Sequence, residues 1–289
     1  MTTLSVALAA RWPEPARALL VEADPSGGDI ATRFGLESAP GLVSLTVAGR
    51  RSADPALAWQ HTQSLPGGLL VVSAPPDADR ARAALLALTS DRPAHAGGLR
   101  LAADQPGAAV IVDCGRVDAG SSAMPFVRAA DVMVLLARSR ADDLAHLARR
   151  LPEVGRWARR SVLLLVGDGY STTEVARELG VSPWGRVPED VYGAAVLCGR
   201  PCGFRWRRVG PSHSPLGRFA HTVARTLAAS AESAQVPQQV VPVLQPPVLR
   251  AVPGVPDNLV AVHGLRPPPA PRPAQPGFDD QAPRGGAAS

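Results

Sequence analysis

At 289 residues the chain is long enough for one large α/β domain plus an extension. An apolar content of 46% supports a sizeable core, and an aromatic content of 4% makes that core one of Ala, Val and Leu. No apolar run reaches transmembrane length, and the three cysteines, Cys114, Cys198 and Cys202, are too few for a disulfide framework. The net charge of +5 permits contact with DNA or anionic lipid without requiring it. Every basic residue is arginine, a usage that suggests a GC-rich genome. The N-terminal "LSVALAA" is short and has no basic segment before it, so it is not read as a secretory signal. A cytoplasmic location is expected.

The chain opens "MTTLSVALAARW", an apolar helix with two threonines at its start. Short continuous apolar runs follow at 17–24, 68–75, 108–115, 131–138 and 161–169, each ending on small or acidic residues. Such runs read as strands buried on both faces, the mark of a parallel sheet. Amphipathic helical segments at 77–90, 121–130, 140–160 and 172–179 lie between them. The alternation predicts a doubly wound, mostly parallel, three-layer α/β/α fold, in which ligands bind at the carboxyl ends of the strands. "SPLGRFAHTVARTLAAS" (214–230) reads as the closing helix of the domain, with a membrane-surface helix as the alternative. From 231 onward Pro, Gln, Val and Ala dominate, with "RPPPAPRPAQP" at 266–276. Proline at that density removes backbone donors, so 1–230 is expected to be the folded domain and 231–289 a disordered, polyproline-like tail.

Acidic residues stand at the strand ends, where this fold binds ligands. Glu22 and Asp24 follow "LLV" and precede "PSGGD", and Asp113 closes "VIVD" ahead of Cys114 and Gly115. A carboxylate closing a buried strand can hold hydrated Mg²⁺, which keeps several waters and takes few protein ligands. The same residue type also serves as a helix or turn cap. A helix start such as Thr2–Thr3 offers free N–H groups and a favourable dipole to phosphate, and a threonine hydroxyl there can ligate Mg²⁺.

Together these features resemble the ParA/MinD family of P-loop ATPases, which position chromosomes, plasmids, division sites and envelope machines. "TTLSVALAARWPEPARALLVEADPSGGD" is similar to the family segment that follows its Gly-rich loop. "VIVDCG" resembles its Walker B strand, "VGDG" (166–169) its base-contacting strand end, and "VPEDVYGAAVLCGRP" (187–201) its late "IPYD" segment. The ordered set spans 1–230. It is most similar to divergent MinD-like proteins whose loop reads like "GSPGVTT".

The resemblance implies ATP and Mg²⁺ as cofactors. Thr2 and Asp113 would hold the metal, Asp113 through water, with Thr3 beside the phosphates. Asp24 would orient the attacking water, and Glu22 stands where the family has the first acid of its acidic pair. Gly115 would move with the γ-phosphate, and Asp168, Pro188, Glu189 and Asp190 would lie near the base. Met1 falls where the loop lysine would be, so the glycines that wrap the phosphates would precede residue 1. A start codon assigned too late is one expectation, a remnant with a degenerate loop the other. With no lysine in the chain, and arginine a planar fork in place of a compact ammonium, weak nucleotide binding and slow hydrolysis are expected.

The family likeness also implies a nucleotide-dependent homodimer. "RWARR" (156–160) and "FRWRR" (204–208) suit non-specific DNA contact, or form a solvated face with Trp packed inward. The histidines show neither triad nor metal spacing. Two functional readings follow: an ATPase-type switch in partitioning or positioning, and a pseudo-ATPase scaffold that localises a pilus or secretion machine through protein partners of its tail.

Overall fold

A computed structural model of the chain describes residues 1–90, 96–200 and 211–233. In chain order it holds α1 (Thr2–Ala10), β1 (Arg17–Glu22), α2 (Ile30–Phe34), α3 (Leu42–Gly49), α4 (Leu57–Gln60), β2 (Gln63–Ser64) and β3 (Leu70–Val72). Next come α5 (Ala78–Ser90), α6 (Ala96–Ala103), β4 (Ala108–Asp113), α7 (Met124–Ala129) and β5 (Met133–Arg138). The remainder is α8 (Ala141–Val154), β6 (Ser161–Val166), α9 (Thr172–Leu179), β7 (Gly185–Val187), α10 (Val191–Val196), a 3₁₀ turn at Pro211–His213 and α11 (Pro215–Ser233).

The strands form two sheets. One has the order β2-β3-β1-β4, parallel except for the short β2 at its edge; the other is an all-parallel β5-β6-β7. The five apolar runs are β1, β3, β4, β5 and β6, continuous in hydrophobicity because helices cover both sheet faces. Alternation along each strand sorts the side chains. In the first sheet, Leu19, Val21 and Val72 point to a layer with Leu42 and Leu45 of α3 and Leu85 and Leu88 of α5, while Leu20 and Val71 point the other way, to Val6 and Ala9 of α1. In the second, Leu163 and Leu165 meet α8 and α9, and Leu164 meets α1 and α11.

Helix α1 thus touches both sheets. Val6 and Ala9 face the first, and Leu4, Ala7 and Leu8 pack with Leu164 and with Leu216, Ala220, Val223 and Leu227 of α11. This explains an N-terminal helix that is apolar nearly all round. The closing helix spends its apolar stripe on α1 and β6, so the domain itself covers the face that a membrane-surface reading would need. Among the described residues no helix is long and apolar enough to cross a membrane. Helix α11 runs three residues past the expected boundary at 230. The rest of the Pro-rich segment, and "FRWRR" at 204–208, lie outside the described residues. In "RWARR", Trp157 is buried against Met124, Val127, Met133 and Val154, and Arg156 and Arg159 are exposed.

Candidate functional site

The acids meet at the carboxyl edge of the first sheet. Strands β1 and β4 pair in register from Arg17 opposite Ala108 to Glu22 opposite Asp113. Paired residues share a sheet face, so Glu22 and Asp113 stand two residues beyond Leu20 and Ile111 on the side that α1 covers.

Glu22 is almost wholly buried at 1% exposure. Its Oε1 accepts the backbone N–H of Asp29 at 2.7 Å and of Ile30 at 3.0 Å, and its Oε2 accepts that of Ala74 at 3.0 Å. The carboxylate therefore caps α2 and ties the end of β1 to the segment after β3. Gly28 makes room for it: a Cβ there would fall 2.3 Å from Oε2. Burial pushes the Glu22 carboxyl above its ordinary value of 4.5. The three N–H donors oppose that rise, and the charge of Asp113 adds to it.

Asp113, 3% exposed, uses one oxygen to accept the Gly115 N–H at 3.2 Å, while its buried Oδ2 has no hydrogen-bond partner. Asp24 accepts the Ser26 N–H at 2.8 Å, which shapes the turn after β1. Its carboxyl lies against Gly115, where a Cβ would come within 2.1 Å of Cγ and Oδ2. Gly115 has φ +60, the left-handed conformation that favours glycine. Asp113 at the end of β4, Asp24 just beyond β1 and a left-handed glycine thus converge. The neighbouring thiol of Cys114 is pushed up to about 12, first by burial and then by the charges of Asp113 and Asp24.

Helix α1 packs on the same face of the sheet. Its N-cap position is Met1 and carries no side-chain cap, and Thr2 and Thr3 are half-buried. The Thr3 hydroxyl lies 3.4 Å from Cys198 Sγ, and Arg33 of α2 points Nη1 at the same sulfur from 3.8 Å. Arg33 also reaches Asp29, at the start of α2, across 2.7 Å. The sequence carries no sign of Arg33, and for Cys198 it shows only that three cysteines are too few for a disulfide framework. Only the 165 and 195 residues that separate Cys198 from Arg33 and Thr3 hid the link.

The residues present fit a hydrated Mg²⁺–nucleotide. Asp113 leaves a buried oxygen without a donor, which is costly unless something completes it. Helix α1 packs on the same face of the sheet, and the N–H groups of a helix start complement phosphate. Among the described residues no group of three or more His, Cys, Asp or Glu could by itself hold a metal ion.

The four remaining candidates lie on the second sheet. Asp168 is exposed in the turn after β6. Arg186 of β7 pins that turn by donating to the Gly167 and Tyr170 carbonyls and to Ser139 Oγ. Pro188 is half-buried and Glu189 exposed. Asp190 is the N-cap of α10, accepting the Gly193 N–H at 2.8 Å and the Leu216 N–H at 3.1 Å. Burial raises its pKa, but those bonds, one from Ser214 and the charge of Arg218 outweigh it and leave the value lowered.

No protein-family model matches the chain, and no curated protein is similar to it. Solved structures are. A ParA family ATPase from Chlorobium tepidum superposes with a TM-score of 0.58 at 16% identity, over 77% of this chain and 92% of that one. The septum site-determining protein MinD from Pyrococcus horikoshii, complexed with Mg-ADP, gives 0.57 at 13%, over 80% and 89%. Cobyrinic acid a,c-diamide synthase from Mycobacterium smegmatis, with a bound ATP analogue and magnesium, gives 0.51 at 18%, over 81% and 91%. The fold is therefore the α/β fold of the ParA/MinD-like P-loop ATPases.

Proposed function

We propose that this chain is a nucleotide-dependent switch of the ParA/MinD kind, which binds ATP and Mg²⁺ at the carboxyl edge of the first sheet and acts in partitioning or cellular positioning. The observation that carries the reading is the buried, unpartnered Asp113 Oδ2 on the sheet face that α1 covers. In this reading Thr2 and water-bridged Asp113 hold the metal, the α1 start with Thr3 receives phosphate, and Asp24 orients water. Gly115, with Asp24 seated on it, is the element free to respond to a third phosphate. Bound Mg²⁺ would offset charge on the phosphate oxygens. Asp168, Pro188 and Glu189 bound the base, with the Asp190 carboxylate already engaged as a cap. Glu22 shapes the site by accepting the backbone N–H groups of Asp29, Ile30 and Ala74. Dimerisation across the nucleotide follows from the family likeness. The exposed Arg149, Arg150, Arg156 and Arg159 offer charge to DNA, and among the solved neighbours MinD of Aquifex aeolicus is complexed with the protein MinC.

A second reading is a pseudo-ATPase scaffold, in which the basic side chains of residues 1–289 near the site are arginines, planar forks in place of a compact ammonium. A missing preorganised charge at a transferring phosphoryl group costs several kcal/mol, on the order of 3. Calorimetry with MgATP separates the two. Binding by the wild type that Asp113→Asn weakens supports the switch. An absence of binding overturns it in favour of the scaffold.

A further inference from the structure

We propose that Arg33 supplies the phosphoryl-binding cation of this site, in the place a lysine would take. The inference rests on the nucleotide reading above and adds a residue that the motifs do not mark. Three observations carry it. The basic side chains of residues 1–289 are all arginine apart from histidine, so a cation supplied by these residues is a guanidinium. Arg33 and Thr3 converge on one sulfur, that of Cys198, which brings a guanidinium to the start of α1 from a different helix. Asp113, whose buried Oδ2 has no hydrogen-bond partner, lies opposite Glu22 on the sheet face that α1 covers, and Glu22 in turn accepts the N–H groups of Asp29 and Ile30 at the start of the helix that carries Arg33.

The chemistry suits an anion with several oxygens. A guanidinium presents a fork that binds two phosphate oxygens at once, and the N–H groups of an uncapped helix start bind others. Arg33 is held now by Asp29, whose side chain is 63% exposed. An exposed i,i+4 pair of that kind is weak, and a phosphoryl group competes with it on favourable terms. A phosphoryl group bound between Thr3 and Arg33 would also cover the Cys198 sulfur. That gives a readout independent of hydrolysis.

The test combines calorimetry with MgATP, MgADP and adenosine, and iodoacetamide labelling of Cys198 followed by peptide mass spectrometry. In the wild type MgATP should protect Cys198 and adenosine should not. Arg33→Gln should weaken MgATP binding by about 10- to 100-fold, the range expected for losing one or two charge-assisted hydrogen bonds. It should leave adenosine binding unchanged and abolish protection. Arg33→Lys should restore part of the affinity. Asp29→Asn, which removes the competing carboxylate and no capping bond of its own side chain, should tighten MgATP. Wild-type binding of MgATP that Arg33→Gln leaves intact overturns the assignment of Arg33 while the nucleotide reading stands. No MgATP or MgADP binding by the wild type overturns both.

Discussion

Replacing Glu22 with alanine removes the acceptor for three backbone N–H groups at once, those of Asp29, Ile30 and Ala74. Ile30 and Ala74 are 0% and 2% exposed, so water cannot readily take the place of the carboxylate. Each buried donor left unsatisfied costs about 1–3 kcal/mol. Against this stands the relief of no longer burying a charge, the largest influence on Glu22 and the reason its pKa is raised. The expected net loss at neutral pH is about 2–4 kcal/mol. The pH dependence follows from the direction of the shift. Folded Glu22 holds its proton more tightly than the unfolded chain does. Its stabilising contribution is therefore complete below the ordinary value of 4.5 and declines as pH rises through the higher folded value. Guanidinium unfolding of wild type and Glu22→Ala, at several pH values between 4 and 7 on the approximate scale of carboxylate titration, isolates this one group, because other titrations cancel in the difference. The gap between the two proteins should widen as pH falls. A gap that narrows on acidification would mean that the three hydrogen bonds outweigh burial, and would refute the reasoning.

Asp113→Asn should stabilise the nucleotide-free protein by about 1 kcal/mol, because it removes a buried charge with an unpartnered oxygen; thermal unfolding without ligand checks it, and a loss of stability contradicts it. Gly115→Ala should cost about 1–3 kcal/mol through its φ of +60 and should displace the Asp24 carboxyl, measured by denaturant unfolding. Cys114, with its thiol pushed up to about 12, should resist iodoacetamide at pH 8, roughly its unperturbed range, in the native protein and react only after unfolding.

The strands and the closing helix were legible in the sequence because they obey local rules. A strand buried on both faces must be apolar throughout, so β1, β3, β4, β5 and β6 announce themselves. Helix α11 carries its stripe at Leu216, Phe219, Val223 and Leu227, and α9 opens on the Ser171–Glu174 capping box. The short elements had no such signature. Strands β2 and β7 have two and three residues. Helices α2 and α4, of five and four residues, are too short to show a helical period, and α3, LVSLTVAG, is apolar along most of its length, so packing is what orders them.

The sequence by itself determined that acids stand at strand ends and that a threonine-led helix comes before them in the chain. Tertiary structure alone decided what each acid does. Glu22 and Asp113 look alike in the chain, each closing an apolar run. Folding brings three backbone donors to Glu22 from residues 7, 8 and 52 positions away and leaves one oxygen of Asp113 with none. Asp190 reads as a ligand-edge acid until the start of α11, 26 residues on, donates to it. Arg33 and Thr3 meet only because α2 and the end of α10 fold against α1. A side chain's chemistry is local, but its partners are chosen by the whole fold, and for these residues the partners decide the role.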